Sequence, residues 1–184
     1  MHVTKSDVQK RKKLGTFGEN LAPDLLARAG FINIKSLNQL KHNHEFADFY
    51  AERGGKKFII SVKARNKWAL PNRSNPLPHY NNRYKFGDPA KKYPKHAFDV
   101  ANRYDATAAW LAIAFERLTY DAYFWTVQQL LDIGRDGRGI PMTPKYTKLY
   151  ECIVVDELHH YDYEEFRNLP AGIETPNPTI NSRS

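Results

Sequence analysis

The sequence predicts an α/β or α+β domain built around a central mixed β-sheet. Apolar residues recur at three- and four-residue spacing near the amino terminus, whereas later apolar runs are short and rich in aromatic and β-branched residues. The chain has 184 residues, 41% of them hydrophobic and 13% aromatic, which is enough for one domain with a substantial core. Its formal net charge of +8 favours a polyanionic partner, most often nucleic acid, over a surplus that serves solubility alone.

The elements follow in order along the chain. Residues 5–29 form a helix, because Leu14, Leu21 and Leu25 lie on one face, and Gly30 is a suitable stop. Pro23 lacks an N–H and predicts a kink. The remaining elements are a strand over 31–37, a hairpin over 46–64, a helix over 96–105, strands over 107–115 and 122–127, a helical segment over 128–133, and a strand over 150–155.

One domain is expected over residues 1–168, with a basic, aromatic insert over 64–95 and a flexible tail over 169–184. The insert holds five of the eleven prolines, so regular structure is not expected there. The amino terminus lacks the apolar segment of a secretory signal, and no apolar run approaches the ~20 residues that span a bilayer. We therefore expect an intracellular, cytoplasmic protein that associates with the nucleoid and has no membrane contact.

The hairpin carries the candidate site. Gly54-Gly55 is a favoured two-residue turn, and pairing outward from it places Asp48 opposite Ser61, with Lys63 further along the same face. The opposite face is apolar throughout and belongs to the core. A carboxylate beside a lysine can hold Mg²⁺, while the lysine orients or deprotonates a water molecule. From the hairpin alone, a solvated face with a cross-strand ion pair is the preferred interpretation.

These residues resemble the PD-(D/E)XK nuclease superfamily, in particular its resolvase-like and restriction-endonuclease-like members. The family pattern has an aspartate on one strand, an acid-x-lysine on the next and often a glutamate on the preceding helix. Asp48 matches the first position, Lys63 the last, and Glu19 the helical one, in a Gly-x-x-Gly-Glu-x-x-Ala setting. The resemblance covers roughly residues 10–130. It implies a restriction-endonuclease-like fold and hydrolysis of DNA phosphodiesters with Mg²⁺ or Mn²⁺.

The same resemblance implies a role for each site residue. Asp48 and Glu19 bind the metal, the backbone carbonyl of Val62 is a further ligand, and Lys63 acts on the water. The sequence departs from the pattern at Ser61, where the family has an acid, and a neutral hydroxyl is a poorer ligand for a hard cation. Three interpretations stay open: Glu19 replaces the missing carboxylate, Ser61 acts through a bound water, or the domain binds DNA without cleaving it.

The insert is the predicted DNA-contacting surface. It has eight Lys or Arg residues against one acid, and five aromatic residues lie among them. Cations attract phosphates and aromatic rings stack on bases. The proposed contacts are Arg65, Lys67, Arg73, Arg83, Lys85, Lys91, Lys92, Lys95, Trp68 and Tyr84.

The expected partner is duplex or branched DNA, and a homodimer would allow both strands to be cut. Two alternatives stay open. A flexible lid that binds no ligand would also account for the insert, and an RNA-binding or structural accessory protein would also account for the net charge.

Overall fold

The computed structural model describes residues 5–38, 46–69, 79–86, 92–116 and 119–157. The helices are α1 (Lys5–Arg28), α2 (Lys95–Asn102), α3 (Val127–Asp132) and α4 (Pro144–Thr147). The first strands are β1 (Ile32–Ser36), β2 (Phe49–Arg53), β3 (Lys56–Asn66), β4 (Trp68–Ala69) and β5 (His79–Tyr80). The later strands are β6 (Arg83–Lys85), β7 (Thr107–Glu116), β8 (Thr119–Thr126), β9 (Gly139–Pro141) and β10 (Glu151–Glu157).

A six-stranded sheet in the order β1-β2-β3-β7-β8-β10 forms the centre of the molecule. β3 and β7 are parallel, and every other neighbouring pair in this sheet is antiparallel. The parallel pair requires a crossover, and the segment that contains α2 provides it. The predicted α/β class, with a central mixed sheet flanked by helices, is confirmed.

Both faces of the sheet are covered. α1 packs on one face with residues such as Ile60 and Leu111, whereas α2 and α3 pack on the other with Ile59 and Trp110. Because side chains alternate along a strand, consecutive residues of β3 enter opposite cores, and Ile59 and Ile60 are both fully buried. The expectation that the second face of the hairpin is a half-buried polar surface is therefore wrong for the centre of β3.

The predicted register of the hairpin is confirmed from Arg53↔Lys56 to Phe49↔Ile60. Gly54 and Gly55 both have positive φ, at 58° and 72°, as a tight hairpin turn requires. Strand pairing ends at Phe49, so the expected opposition of Asp48 and Ser61 does not continue the ladder. Instead the N–H of Asp48 still donates to the carbonyl of Ile60, at 2.9 Å, while the chain before it turns away.

The insert contains more regular structure than its prolines predict. β3 continues to Asn66, β4 pairs with β5, and β6 pairs with the distant β9. These partners supply backbone hydrogen bonds that a local reading of the sequence does not anticipate. The predicted tail over 169–184 lies outside the described residues, as do Arg73 and Lys91. Among the helices in the described ranges, none is long and apolar enough to cross a membrane.

Candidate active site

Close approach of α1 to β3 brings Glu19 to the sheet. A Cβ atom added to Gly18 would lie 2.3 Å from the Cβ of Ala64, a distance that real Cβ atoms do not tolerate. Gly18 therefore allows the helix backbone to approach closer to the strand than any larger residue would permit. Glu19 is the next residue on α1, and its half-buried side chain lies beside the residues that precede Ala64 on β3.

Asp48 is held by the strand that carries the lysine. Its Oδ2 accepts a hydrogen bond from the N–H of Val62 at 2.6 Å, and the hydroxyl of Ser61 lies 3.5 Å from the same oxygen. The Nζ of Lys63 is 4.0 Å from this Oδ2. The structure thus brings together the aspartate and the lysine that the sequence analysis paired, although by a side-chain contact instead of regular strand pairing.

Lys63 occupies a partly enclosed position, with a side chain that is 19% exposed. Its Nζ donates to the carbonyl of Val62 at 3.0 Å, the oxygen expected to be a metal ligand. Burial lowers the pKa of the Lys63 amine and the nearby Arg65 lowers it further, while Asp48 and Glu19 act in the opposite direction. A lowered pKa makes the neutral amine, which can accept a proton from water, easier to reach.

Glu19 experiences the negative charge of the site. Burial raises the pKa of its carboxyl group, and repulsion from Asp48 raises it further. Lys63 and a hydrogen bond from Asn38 partly offset these effects. A cation placed between the two carboxylates would offset the repulsion that Glu19 experiences.

Asn38 belongs to the same cluster, and the sequence analysis missed it. Its Nδ2 lies 3.4 Å from Oε2 of Glu19 and 3.4 Å from Oδ1 of Asp48, so the amide bridges the two carboxylates. The N–H of Leu37 donates to the carbonyl of Asp48 at 2.9 Å, which places the next residue, Asn38, beside the aspartate. A prediction that β1 pairs antiparallel with β2 would have placed Asn38 beside Asp48.

Ser61 contacts this cluster from the buried side of the sheet. Its side chain is fully buried, and its partner on the neighbouring strand β7 is Trp110. The hydroxyl contacts the oxygen of Asp48 that Val62 and Lys63 already approach. Ser61 is therefore placed to support the carboxylate of Asp48, and the interpretation in which it acts through a bound water stays a prediction.

The oxygen atoms of the cluster suit a hard divalent cation. Glu19 and Asp48 offer carboxylate oxygens and Val62 offers a carbonyl oxygen, the ligand types that Mg²⁺ and Mn²⁺ prefer. Within the described ranges, no group of three or more His, Cys, Asp or Glu residues is arranged to hold a metal. Any cation here would thus need ligands beyond the two carboxylates, from the backbone, an amide or water.

Several cations of the insert are matched by acids from later in the chain. Ion pairs join Lys67 to Glu116 and Asp121, Arg83 to Asp136, and Lys95 to Asp99. Arg65 donates to the carbonyl of Ala64 at 2.7 Å, and the indole N–H of Trp68 donates to Glu116 at 2.6 Å. Lys85 and Lys92 are exposed. The surface available to phosphates is therefore narrower than the count of basic residues predicts.

Two aromatic residues of the insert, Tyr84 and Phe86, contribute to the core. Tyr84 is 1% exposed and Phe86 is 3% exposed, and both pack in the cluster beneath α2 and α3. The Phe86 ring makes an edge contact with Phe46 at 5.5 Å between centroids. The stacking role expected for Tyr84 is corrected accordingly, because a ring enclosed by protein has no face to offer a nucleic-acid base.

Comparison with known proteins finds little that resembles this chain. No protein-family model and no curated protein matches it. Among solved structures, a Holliday junction resolvase from the archaeal hyperthermophile Archaeoglobus fulgidus is similar, with 18% sequence identity and a TM-score of 0.43. The similarity covers 73% of this chain and 90% of that one. A likeness of this size says nothing about the chemistry of the present site.

Proposed function

We propose that this protein is a Mg²⁺- or Mn²⁺-dependent DNA endonuclease of the PD-(D/E)XK type on a restriction-endonuclease-like fold. One observation carries the proposal: Glu19 from α1, Asp48 from the position just before β2 and Lys63 from β3 meet in one polar cluster. The clearest contact is the 4.0 Å approach of the Lys63 Nζ to Oδ2 of Asp48. An ordinary surface ion pair would not recruit a second, partly buried carboxylate.

The residues divide the work by their chemistry. The carboxylates of Asp48 and Glu19 and the carbonyl of Val62 would hold the cation. When bound, a divalent cation supplies stabilisation of the negative charge that develops on the phosphate. Lys63 orients the water and accepts or shares its proton, which the lowered pKa of the amine favours. Ser61 and the N–H of Val62 keep Asp48 in position.

The substrate proposed is duplex or branched DNA. The formal charge of +8 supplies a general attraction to phosphates. Lys85 and Lys92 are exposed on the insert, which follows directly from the strand that carries Lys63. Arg73 and Lys91 extend the proposed contact set, and a homodimer would supply the second site needed to cut both strands.

A catalytically inactive DNA-binding module is the second candidate. The neutral side chain of Ser61 favours it, because the family pattern has an acid at this position of β3. The binding function would then persist without hydrolysis. The two candidates differ in whether phosphodiester bonds break, not in whether DNA is bound.

A cleavage assay separates them. Purified protein is incubated with linear duplex, nicked duplex, four-way junction and single-stranded DNA, with Mg²⁺, Mn²⁺ or EDTA. The endonuclease proposal expects metal-dependent products that disappear in the Asp48→Asn variant, which keeps the shape of the side chain but removes its charge. Binding to DNA without products under every metal condition would establish the inactive module instead.

A further inference from the structure

We propose that the side-chain amide of Asn38 is a ligand of the divalent cation in this site and takes the place of the acid that Ser61 lacks. The inference rests on the proposed function, because it concerns the same metal. The acid-x-lysine pattern does not contain Asn38, which follows β1, whereas Ser61 lies within β3. Three arguments support the inference: the position of Asn38, the orientation of the Asp48 carboxylate and the chemistry of an amide.

The position of Asn38 is the first argument. Its amide nitrogen is 3.4 Å from a carboxylate oxygen of Glu19 and 3.4 Å from one of Asp48. A group within reach of both carboxylates occupies the region where a cation shared by them would lie. Asn38 is also held there, because Leu37 is 2% exposed and its N–H bonds to the carbonyl of Asp48.

The two oxygens of Asp48 differ in their surroundings, which is the second argument. Oδ2 accepts from the N–H of Val62 and is approached by Ser61 and Lys63. Oδ1 faces Asn38 and, beyond it, Glu19. The cation side of Asp48 is thus the Oδ1 side. Ser61 lies on the other side of the carboxylate, so an acid at position 61 is not what completes this site.

The chemistry of an amide is the third argument. Rotation by half a turn about its Cβ–Cγ bond exchanges the NH₂ group of Asn38 for its carbonyl oxygen. Without metal, the NH₂ group donates to both carboxylates and reduces their repulsion. With metal, the carbonyl oxygen is a neutral, hard ligand of the kind that Mg²⁺ and Mn²⁺ accept. An acid at the same place would repel Asp48 and Glu19 whenever the cation leaves.

Metal titration tests the inference without DNA. Calorimetry measures the affinity of the full-length protein, first freed of metal with EDTA, for Mn²⁺ in the wild type, Asn38→Ala and Asn38→Asp. Asn20→Ala is the matched control, since Asn20 is exposed on α1 next to Glu19. We expect Asn38→Ala to weaken Mn²⁺ binding roughly 10- to 100-fold. Asn38→Asp should retain or improve the affinity, and Asn20→Ala should match the wild type.

A second readout reports the amide directly. In ¹⁵N-labelled protein, the side-chain NH₂ resonances of Asn38 should shift on addition of Mg²⁺, and those of Asn20 should not. Thermal unfolding of each variant confirms that it is folded before its affinity is interpreted. Because the Asn38 side chain is only partly buried, we expect these substitutions to leave the fold intact.

The outcomes distinguish this inference from the proposed function. If the wild type binds Mn²⁺ and Asn38→Ala binds it within about twofold, Asn38 is not a ligand, and the nuclease proposal is unaffected. Equal weakening in Asn38→Ala and Asn38→Asp also overturns the inference. A wild type that binds no Mn²⁺ at millimolar concentration overturns it together with the metal site, and the cleavage assay then decides the function alone.

Discussion

The backbone N–H of Val62 donates a hydrogen bond to Oδ2 of Asp48 at 2.6 Å. Asp48 precedes β2, whereas Val62 lies within β3 beside Lys63, so this bond ties the carboxylate to the strand that carries the amine. Hydrogen bonds to an ionised acceptor are stronger than neutral ones. The bond therefore fixes the relative position of the two groups on which the proposed hydrolysis depends.

Loss of the amine should abolish activity while the fold remains. We expect Lys63→Met, which keeps most of the apolar stem, to reduce the rate of DNA cleavage by about 10²- to 10⁴-fold, the usual contribution of a proton-transferring group. Lys56→Met, at the exposed turn end of the same strand, is the control. Single-turnover cleavage together with circular dichroism tests this, and full activity in Lys63→Met would exclude the amine from catalysis.

The raised pKa of Glu19 predicts a pH-dependent cost to stability. The folded protein holds the Glu19 proton more tightly than the unfolded chain, so stability falls as pH rises from the ordinary value of 4.5 through the raised pKa. Glu19→Gln should remove this dependence. Urea unfolding in EDTA measures the free energy of unfolding of both proteins from acidic to neutral pH. The difference between Glu19→Gln and the wild type should widen as pH rises. Parallel stability curves would contradict this prediction.

Gly18 should not tolerate substitution, whereas Gly15 on the same helix should tolerate it. Gly18→Ala forces a contact with Ala64 and should destabilise the protein by about 1–3 kcal/mol. Nothing lies within 4 Å of a Cβ added to Gly15, so Gly15→Ala should stabilise by up to about 1 kcal/mol. Ala64→Gly should recover part of the loss in a double variant. Denaturant unfolding measures the wild type, the three single variants and the double variant, and additive effects of Gly18→Ala and Ala64→Gly would argue against the contact.

An acid at position 61 should harm the protein instead of restoring the family pattern. Ser61 is fully buried opposite Trp110, so Ser61→Glu adds volume and charge to a packed region. We expect a loss of at least about 1–3 kcal/mol in stability and no gain in Mn²⁺ affinity. Ser61→Ala should cost no more than about 1 kcal/mol. Tighter Mn²⁺ binding by a stable Ser61→Glu protein would show that the carboxylate reaches the cation after all.

Exposed cations of the insert should dominate its contribution to DNA affinity. Lys85→Ala and Lys92→Ala should each reduce the slope of log affinity against log salt by about one unit. Arg83→Ala should have a smaller effect on the slope, because Asp136 already pairs with this guanidinium. Fluorescence anisotropy at several salt concentrations measures the slopes, with Lys56→Ala as the control. A steeper dependence on Arg83 than on the two lysines would reverse this assignment.

Interactions between residues close together in the sequence explain why the hairpin and the first helix were predicted well. The turn at Gly54-Gly55 sets the register of the hairpin, and the period of two along each strand then decides which residues share a face. The apolar periodicity of α1 similarly places Glu19 at the edge of its buried stripe. These rules need only a few neighbouring residues, which is why Asp48 and Lys63 could be placed on one face of the hairpin without a structure, whereas Glu19 was selected by the resemblance to the nuclease pattern.

The sequence by itself thus determined the class of fold, the hairpin register and three members of the candidate site. Only the tertiary structure decided the burial of Ser61 and Tyr84, the pairing of Arg83 with Asp136, and the place of Asn38 between two carboxylates. Each of these depends on contacts between segments far apart in the chain, such as β3 with β7 or β6 with β9. Hydrophobic periodicity says that a side chain is buried, but the partner that buries it is chosen by the packing of the whole domain.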